Sequence, residues 1–393
     1  MDASPVVAFG VDQDGDEAQW RVSFPAMGTR IDLTGSGGDL RRITEVACRT
    51  VAECESLWSV FRPDSDISRI NAHSGPCRVD QRTDRLLDDA RALAAATGGA
   101  FTPVAGALVR LWDVKAARGH FLRTGTLPCP PSESQCRRAA ALCDPSLLHR
   151  DDAGRWSLAP GQGRDTGAAG QEPDGGPRVD PHRAGQPWQR PLLDLGGIAK
   201  GATADAVRDA VREAGARSVL VSVGTSSITA HGPGPHGRPW RVGLRAVGAA
   251  ENEAVGHLAL TDACLSTSGG HAPWAPSTRT ELPARRTGQG ILTHFTHDTF
   301  DPRSGRPGNS GIRQVSIVCE SGVMAEALST ALLVAGPGCV DGERLGAWAA
   351  IRNVSPRWER VIMGERGIEA SDGAGWRPGP QAKPRKETEP SDA

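Results

Sequence analysis

The residues best placed to do chemistry fall within seven positions of one another: Asp194, Gly196, Gly197 and Lys200. Glycines let a backbone approach a ligand closely, and the unpaired N–H groups at a helix start favour an anion. In that setting Asp194 suits a ribose hydroxyl or a metal ion, and Lys200 suits a phosphate. The chain has only four lysines, at 115, 200, 383 and 386, so a lysine at this turn stands out against an arginine-rich background. The same residues would also make an ordinary tight turn between a strand and a helix, with the lysine in solvent. From the turn alone, both readings stand.

Holding such a turn requires a helix behind it and a strand beyond it. Alanines and valines at 199, 202, 206, 207, 210, 211 and 214 keep the spacing of one helix face, and Gly215 stops that helix. Ser218 to Val223 then reads as an uncharged, buried strand. Upstream, Val22 to Leu33 reads as a strand broken at Met27-Gly28-Thr29. Asp39 to Phe61 reads as a long amphipathic helix ended by Arg62-Pro63, and Ser65 to Asn71 as a capped turn with a short helix. Asp84 to Thr97 is a further helix, and the apolar run Ala100 to Trp112 suits core, helix or ligand wall. Downstream, strands are expected at Trp240–Ala246, His257–Leu260 and Val315–Cys319, and a helix at Met324–Ala335 closed by Gly336-Pro337. Gly/Pro/Asp-rich chain at 160–188 marks a polar insertion spanning about 155–190, and a polar loop covers about 277–290. A flexible N-terminus (1–19) and a disordered tail (376–393) complete the expected organisation.

Composition narrows the function classes. With 393 residues the chain can bury a large core, and Lys+Arg 45 against Asp+Glu 46 argues against non-specific binding of nucleic acid or anionic membranes. No segment approaches the ~18–20 uncharged apolar residues of a membrane span. The first residues lack the basic start, apolar run and cleavage site of a signal peptide. Nine cysteines include no CxxC pair, which suggests buried free thiols in a reducing compartment. A cytoplasmic location is the resulting expectation.

Several fragments then combine in a fixed order. They are Ala26-Met27-Gly28-Thr29, Phe61 to Asn71, Gly99-Ala100-Phe101 and Leu108-Val109-Arg110-Leu111-Trp112. Asp194-Leu195-Gly196-Gly197-Ile198-Ala199-Lys200-Gly201 follows, then Ser266-Thr267-Ser268-Gly269, Asp301-Pro302-Arg303-Ser304-Gly305 and Ala325 to Ala331. This order and spacing resemble the ApbE-like flavin transferases, FAD:protein FMN transferases, over roughly residues 20–375. The resemblance implies an α+β, T-fold-like domain of two subdomains with the active site between them. It implies Mg2+-dependent cleavage of the FAD pyrophosphate, with FMN passed to a threonine or serine hydroxyl of an acceptor protein and AMP released.

Carried over by position, the resemblance makes Asp194 and Lys200 FAD contacts. Met27 and Ala100, Phe101 and Thr102 become FAD-lining residues, and Ser268 and Gly269 shape the flavin pocket. Gly197 would offer a carbonyl to the metal, alongside Glu326 and Thr330, whose four-residue spacing puts both oxygens on one helix face. His297 and Asp301 are the candidate catalytic groups. The chain departs from the family pattern in four places. Glu326 stands where the family has aspartate, and Thr102 replaces an aspartate. Gly224-Thr225-Ser226-Ser227 replaces Gly-Gly-Asp or Gly-Gly-Asn, and His297 lies four rather than three residues before Asp301. Converting Glu326 to Asp is accordingly expected to raise transfer. The alternative is a divergent FAD-binding homologue with little transferase activity or slow FAD hydrolysis. A Rossmann dehydrogenase lacks its Gly-x-Gly-x-x-Gly turn here.

Overall fold

The structure is a computed structural model that describes residues 7–12, 19–73, 75–125, 128–159, 190–247, 253–269, 299–364 and 367–379. Expectations for His297, for the 277–290 loop, for 160–188 and for the tail beyond 379 lie outside the described residues. In chain order the first elements are β1 (Val7–Asp12), β2 (Gln19–Ala26), β3 (Thr29–Ser36), α1 (Leu40–Trp58), α2 (Asp66–Ala72) and α3 (Gln81–Ala96). Next come α4 (Gly106–Trp112), α5 (Val114–Thr124), α6 (Glu133–Ala141), β4 (Leu148–Arg150), β5 (Trp156–Leu158) and α7 (Ala199–Glu213). They are followed by β6 (Ser218–Val223), β7 (Ser227–His231), β8 (Trp240–Arg245), β9 (Ala254–Leu260), β10 (Cys264–Gly269), β11 (Phe300–Asp301) and β12 (Arg306–Pro307). The last are β13 (Ile312–Cys319), α8 (Gly322–Ala335), α9 (Gly342–Arg352), β14 (Trp358–Gly364), β15 (Gly367–Ala370) and β16 (Trp376–Pro378).

A nine-stranded antiparallel sheet, ordered β1-β2-β3-β6-β7-β10-β13-β14-β15, forms the frame. Alternation decides its buried face. Trp20, Val22 and Phe24 of β2, Ile31 and Leu33 of β3, and Val219, Val221 and Val223 of β6 all point into one core against α1 and α7. The expected break at Met27-Gly28 is a two-residue hairpin turn, with φ +52° at Met27 and +69° at Gly28. Two consecutive left-handed residues match the right-handed twist of the strands they join.

α8 is the central helix. Leu328, Leu332 and Leu333 have no exposed surface, and the helix packs on β10 and β13 on one side and on α7 on another. α7 and α8 meet backbone to backbone at Gly201 and Gly322: a Cβ on Gly201 would lie 2.2 Å from the Gly322 carbonyl oxygen. Only glycine on both helices permits that approach. A separate three-stranded sheet, β16-β9-β8, packs over the far end of the large sheet through Trp240, Leu258, Leu260 and Val361.

The mixed helix-and-sheet fold agrees with the expected α+β class. Three boundaries differ. The N-terminal stretch expected to be flexible contributes β1, which pairs with β2. Trp156–Leu158, expected within the insertion, pairs with Leu148–Arg150 and buries Trp156 completely. Trp376–Pro378, expected within the tail, pairs with β9. In the last two cases a tryptophan anchors a short strand whose polar neighbours carry no periodic signal. Among the described residues, no helix is long and apolar enough to cross a membrane.

Candidate active site

A cleft of about 450 Å3 opens where α4, the 194–200 segment, the β6–β7 turn, β10, the start of β11 and α8 come together. That volume is within the range of small-molecule sites. Its floor is the chain leading into α7. The Leu193 N–H donates to Asn71 Oδ1 (2.7 Å), and Asn71 Nδ2 donates to the Leu193 carbonyl (2.9 Å). The Asp194 N–H donates to the Pro103 carbonyl (2.9 Å), and the Gly106 N–H to that of Leu192 (3.0 Å). The apolar run before the glycines is thus an extended segment held by loops and helix ends, and no strand precedes α7 directly.

Asp194 turns back on the glycine pair, its Oδ1 accepting from the Gly196 N–H (2.8 Å). Burial pushes its carboxyl above the ordinary aspartate range, and that hydrogen bond opposes the rise. The Ile198 and Ala199 N–H groups both donate to the Leu195 carbonyl, at 3.0 and 2.8 Å. The free N–H groups expected at this turn are therefore fewer than glycine content suggests, since Gly196, Ile198 and Ala199 are already engaged. Lys200 Nζ donates to the Gly196 carbonyl (3.2 Å) and lies 3.6 Å from Glu326 Oε1.

α8 supplies the facing wall. Glu326 is only 4 % exposed, yet it lines the cleft. Its Oε1 accepts a short hydrogen bond from the Ser227 hydroxyl at the start of β7, while its Oε2 is buried and has no partner. Buried polar atoms are almost always satisfied, so an orphaned carboxylate oxygen in a cleft marks a place for a cation or a donor. One turn further, Thr330 borders Gly197: a Cβ there would lie 3.5 Å from Thr330 Oγ1 and 3.4 Å from Phe101. Glu326, Thr330, Gly197 and Lys200 are thereby brought to one corner. Among the described residues no group of three or more His, Cys, Asp or Glu could hold a metal. A cation in this corner would therefore rest on one carboxylate and neutral oxygens, a donor set that suits a hard ion.

The rest of the lining is apolar or hydroxyl-bearing. Ala100, Phe101 and Thr102 form one side, but the Thr102 hydroxyl is used structurally, donating to the Cys143 carbonyl (3.1 Å) and accepting from the Val104 N–H (3.2 Å). Ser268 and Gly269 lie at the end of β10, and Ser266 and Ser268 both bond the Ser329 hydroxyl, at 3.0 and 2.9 Å. Phe300 stacks on Trp112 with ring centroids 5.0 Å apart and closes the rim beside Pro302.

Two expected residues stand apart from this lining. Met27 sits in the β2–β3 turn and packs against the cores on either side of it. Asp301 lies beside the cleft with both oxygens held by Arg303, at 2.8 and 3.0 Å, and its carbonyl accepts from the Gly305 N–H (2.8 Å). That carboxylate shapes the 301–305 turn. Sequence reasoning missed Ser227, Thr225, Ser226, Phe300 and Val109 as individual contributors.

Comparisons with known proteins identify a family and a fold. The model of the ApbE family matches residues 27–341. The FAD:protein FMN transferase of Vibrio cholerae is 24 % identical over 325 residues, covering 81 % of this chain and 82 % of that protein. The Escherichia coli K12 protein of the same name is 28 % identical over 327 residues, covering 81 % of this chain and 76 % of its own length. Among solved structures, the flavin transferase ApbE of V. cholerae superposes with a TM-score of 0.62 at 22 % identity, covering 90 % of this chain and 97 % of its own. The ApbE protein of Thermotoga maritima gives 0.64 at 22 % identity, with the same coverage.

Proposed function

The chain belongs to the ApbE family, and from that premise we propose that it transfers FMN from FAD to a threonine or serine hydroxyl of an acceptor protein, releasing AMP. The observation that carries the reading is the unpartnered Glu326 Oε2, buried in a cleft beside Thr330 and Lys200. Glu326, Thr330 and the Gly197 carbonyl would hold Mg2+, which when bound neutralises charge on the phosphates during transfer. The whole of 20–375 acts as one transferase domain.

The chain's own residues bind and orient. Phe101, Ala100, Thr102, Ser268 and Gly269 give the flavin a shaped, mostly apolar wall. Asp194 and the cationic Lys200 face the ribose and pyrophosphate part of FAD, and each contact fixes the phosphorus relative to the incoming hydroxyl. The acceptor oxygen forms its bond to the FMN phosphorus as the bond to the AMP phosphate breaks. The hydroxyl proton passes to a base, for which His297 is the candidate, or to solvent. With both oxygens on Arg303, Asp301 holds the rim rather than taking that proton.

Incubation of the protein with FAD, Mg2+ and an FMN-binding acceptor domain tests this directly. A fluorescent acceptor band on a denaturing gel, with stoichiometric AMP and loss of both on adding EDTA, is the expected result. AMP without labelled acceptor would indicate hydrolysis. FAD binding with neither product would overturn the transferase reading.

A further inference from the structure

We propose that Ser227 is a positioning residue for Glu326, and that it, with Gly201, accommodates a glutamate where the family resemblance implies an aspartate. The inference rests on the reading that Glu326 faces a divalent cation. Glutamate carries one more methylene than aspartate, so its carboxylate reaches the same point only if the stem is displaced. The stem has room here: a Cβ on Gly201 would lie 2.8 Å from Glu326 Cγ, so the stem occupies the groove that glycine leaves open on α7. At the far end, the fully buried Ser227 donates to Oε1, and Lys200 Nζ approaches the same oxygen at 3.6 Å. One oxygen is pinned from β7 and α7. The other, Oε2, is buried and has no partner.

The arrangement fixes which oxygen is offered. With Oε1 fixed, the carboxylate cannot rotate freely, and it presents Oε2 as a single ligand atom. Partners that orient a ligating group in this way affect metal affinity by about 10–100-fold in well-studied sites. Ser227 touches neither FAD nor the reacting phosphorus in this scheme; it acts through Glu326.

The probe is Mn2+ alone, titrated into the full-length protein and followed by loss of the free-ion EPR signal, with no flavin present. Ser227→Ala is expected to weaken Mn2+ binding by about tenfold. Aspartate at 326 is too short to reach Ser227, so in a Glu326→Asp background the same Ser227→Ala change is expected to shift affinity by less than about twofold. Non-additivity of this kind separates positioning from a general effect on folding. Equal losses in both backgrounds, or undiminished affinity in Ser227→Ala, overturn the proposal. Glu326→Gln distinguishes the two levels: if it abolishes Mn2+ binding while Ser227→Ala does not weaken it, only the positioning role fails. If Glu326→Gln binds Mn2+ as wild type does, or wild type binds none, the cation reading falls and the positioning role with it.

Discussion

Two buried carboxylates flank the α7–α8 contact in almost symmetric positions, and their surroundings differ completely. Asp205 lies four residues after Gly201, Glu326 four residues after Gly322, and each reaches across to the opposite helix. Asp205 is saturated. Its Oδ2 accepts from the Gly322 N–H (2.8 Å), and its Oδ1 from Thr229 Oγ1 (3.1 Å), Cys264 Sγ (3.2 Å) and Arg208 Nη1 (3.3 Å). Burial still raises its pKa, with Arg208 as the chief opposing influence. Glu326 has one oxygen pinned and one abandoned. A satisfied buried charge holds helices together, whereas a half-satisfied one costs stability and is kept where something binds. Glycine-mediated closeness serves both ends, locking the fold at one and leaving a buried oxygen without a partner at the other.

The largest expected effect comes from breaking the saturated end. Asp205→Ala strands the Gly322 N–H, takes the best acceptor from Thr229 and removes one of Arg208's two carboxylate partners, Asp209 remaining, and should cost about 3–5 kcal/mol of unfolding free energy, read from urea denaturation. A loss below about 1 kcal/mol would erase the distinction between the two carboxylates. Glu326→Gln should behave in the opposite sense. EDTA-sensitive transfer is expected to fall about hundredfold, near 2.7 kcal/mol, while the urea midpoint stays level or rises because an orphaned charge has gone. A midpoint that drops as far as it does for Asp205→Ala would make Glu326 structural.

Gly201→Ala tests the shared hinge. Its methyl would meet both the Gly322 carbonyl and the Glu326 stem, so a loss of about 1–3 kcal/mol should accompany weaker Mn2+ binding. Stability lost without any change in Mn2+ binding would uncouple the two ends. For Glu326→Asp the packing reverses the expectation from sequence. Shortening the side chain empties the Gly201 groove and releases Ser227, so Mn2+ affinity should fall by less than about tenfold rather than transfer rise. An increase in either would show that the glutamate is merely tolerated.

The smallest effect is on thiol reactivity. Burial, with Asp205 adding to it, pushes the Cys264 thiol well above its ordinary value, and burial pushes the neighbouring Cys319 up to about 12. Neither should be alkylated by iodoacetamide in the native protein at neutral pH, while exposed Cys129 reacts. Asp205→Ala should make Cys264 reactive, which peptide mass spectrometry would detect; continued protection would mean that the α7–α8 contact survives without it.

The elements of the fold were legible because their faces are periodic. Ser218–Val223 was found to the residue, and the helix expected at Met324 begins two residues earlier, at Gly322. The cleft was legible as a set of residue types around Asp194–Lys200 and on one face of α8. What periodicity cannot supply is the partner. Ser227 meets Glu326 across 99 positions, and nothing local in Thr225-Ser226-Ser227 announces it. Asp205 lay unremarked within a helix read through its alanines and valines. Asp301 and Thr102 were expected at the cleft by motif, and only their neighbours Arg303 and Cys143 show that their polar atoms are already committed.

The cleft takes its lining from residues between Ala100 and Thr330, and this dispersal has a consequence during synthesis. A ribosome that has completed the turn at Asp194–Lys200 has made half of the corner where Lys200 meets Glu326, and none of α8. No nascent fragment that ends before α8 holds Glu326, so such a fragment lacks that corner entirely. Loop closure over such separations is slow relative to local helix formation. Under the proposed function, FAD binding would be a late reporter of completed folding, and a ligand that binds only the finished cleft would draw the last-arriving helix into place by mass action.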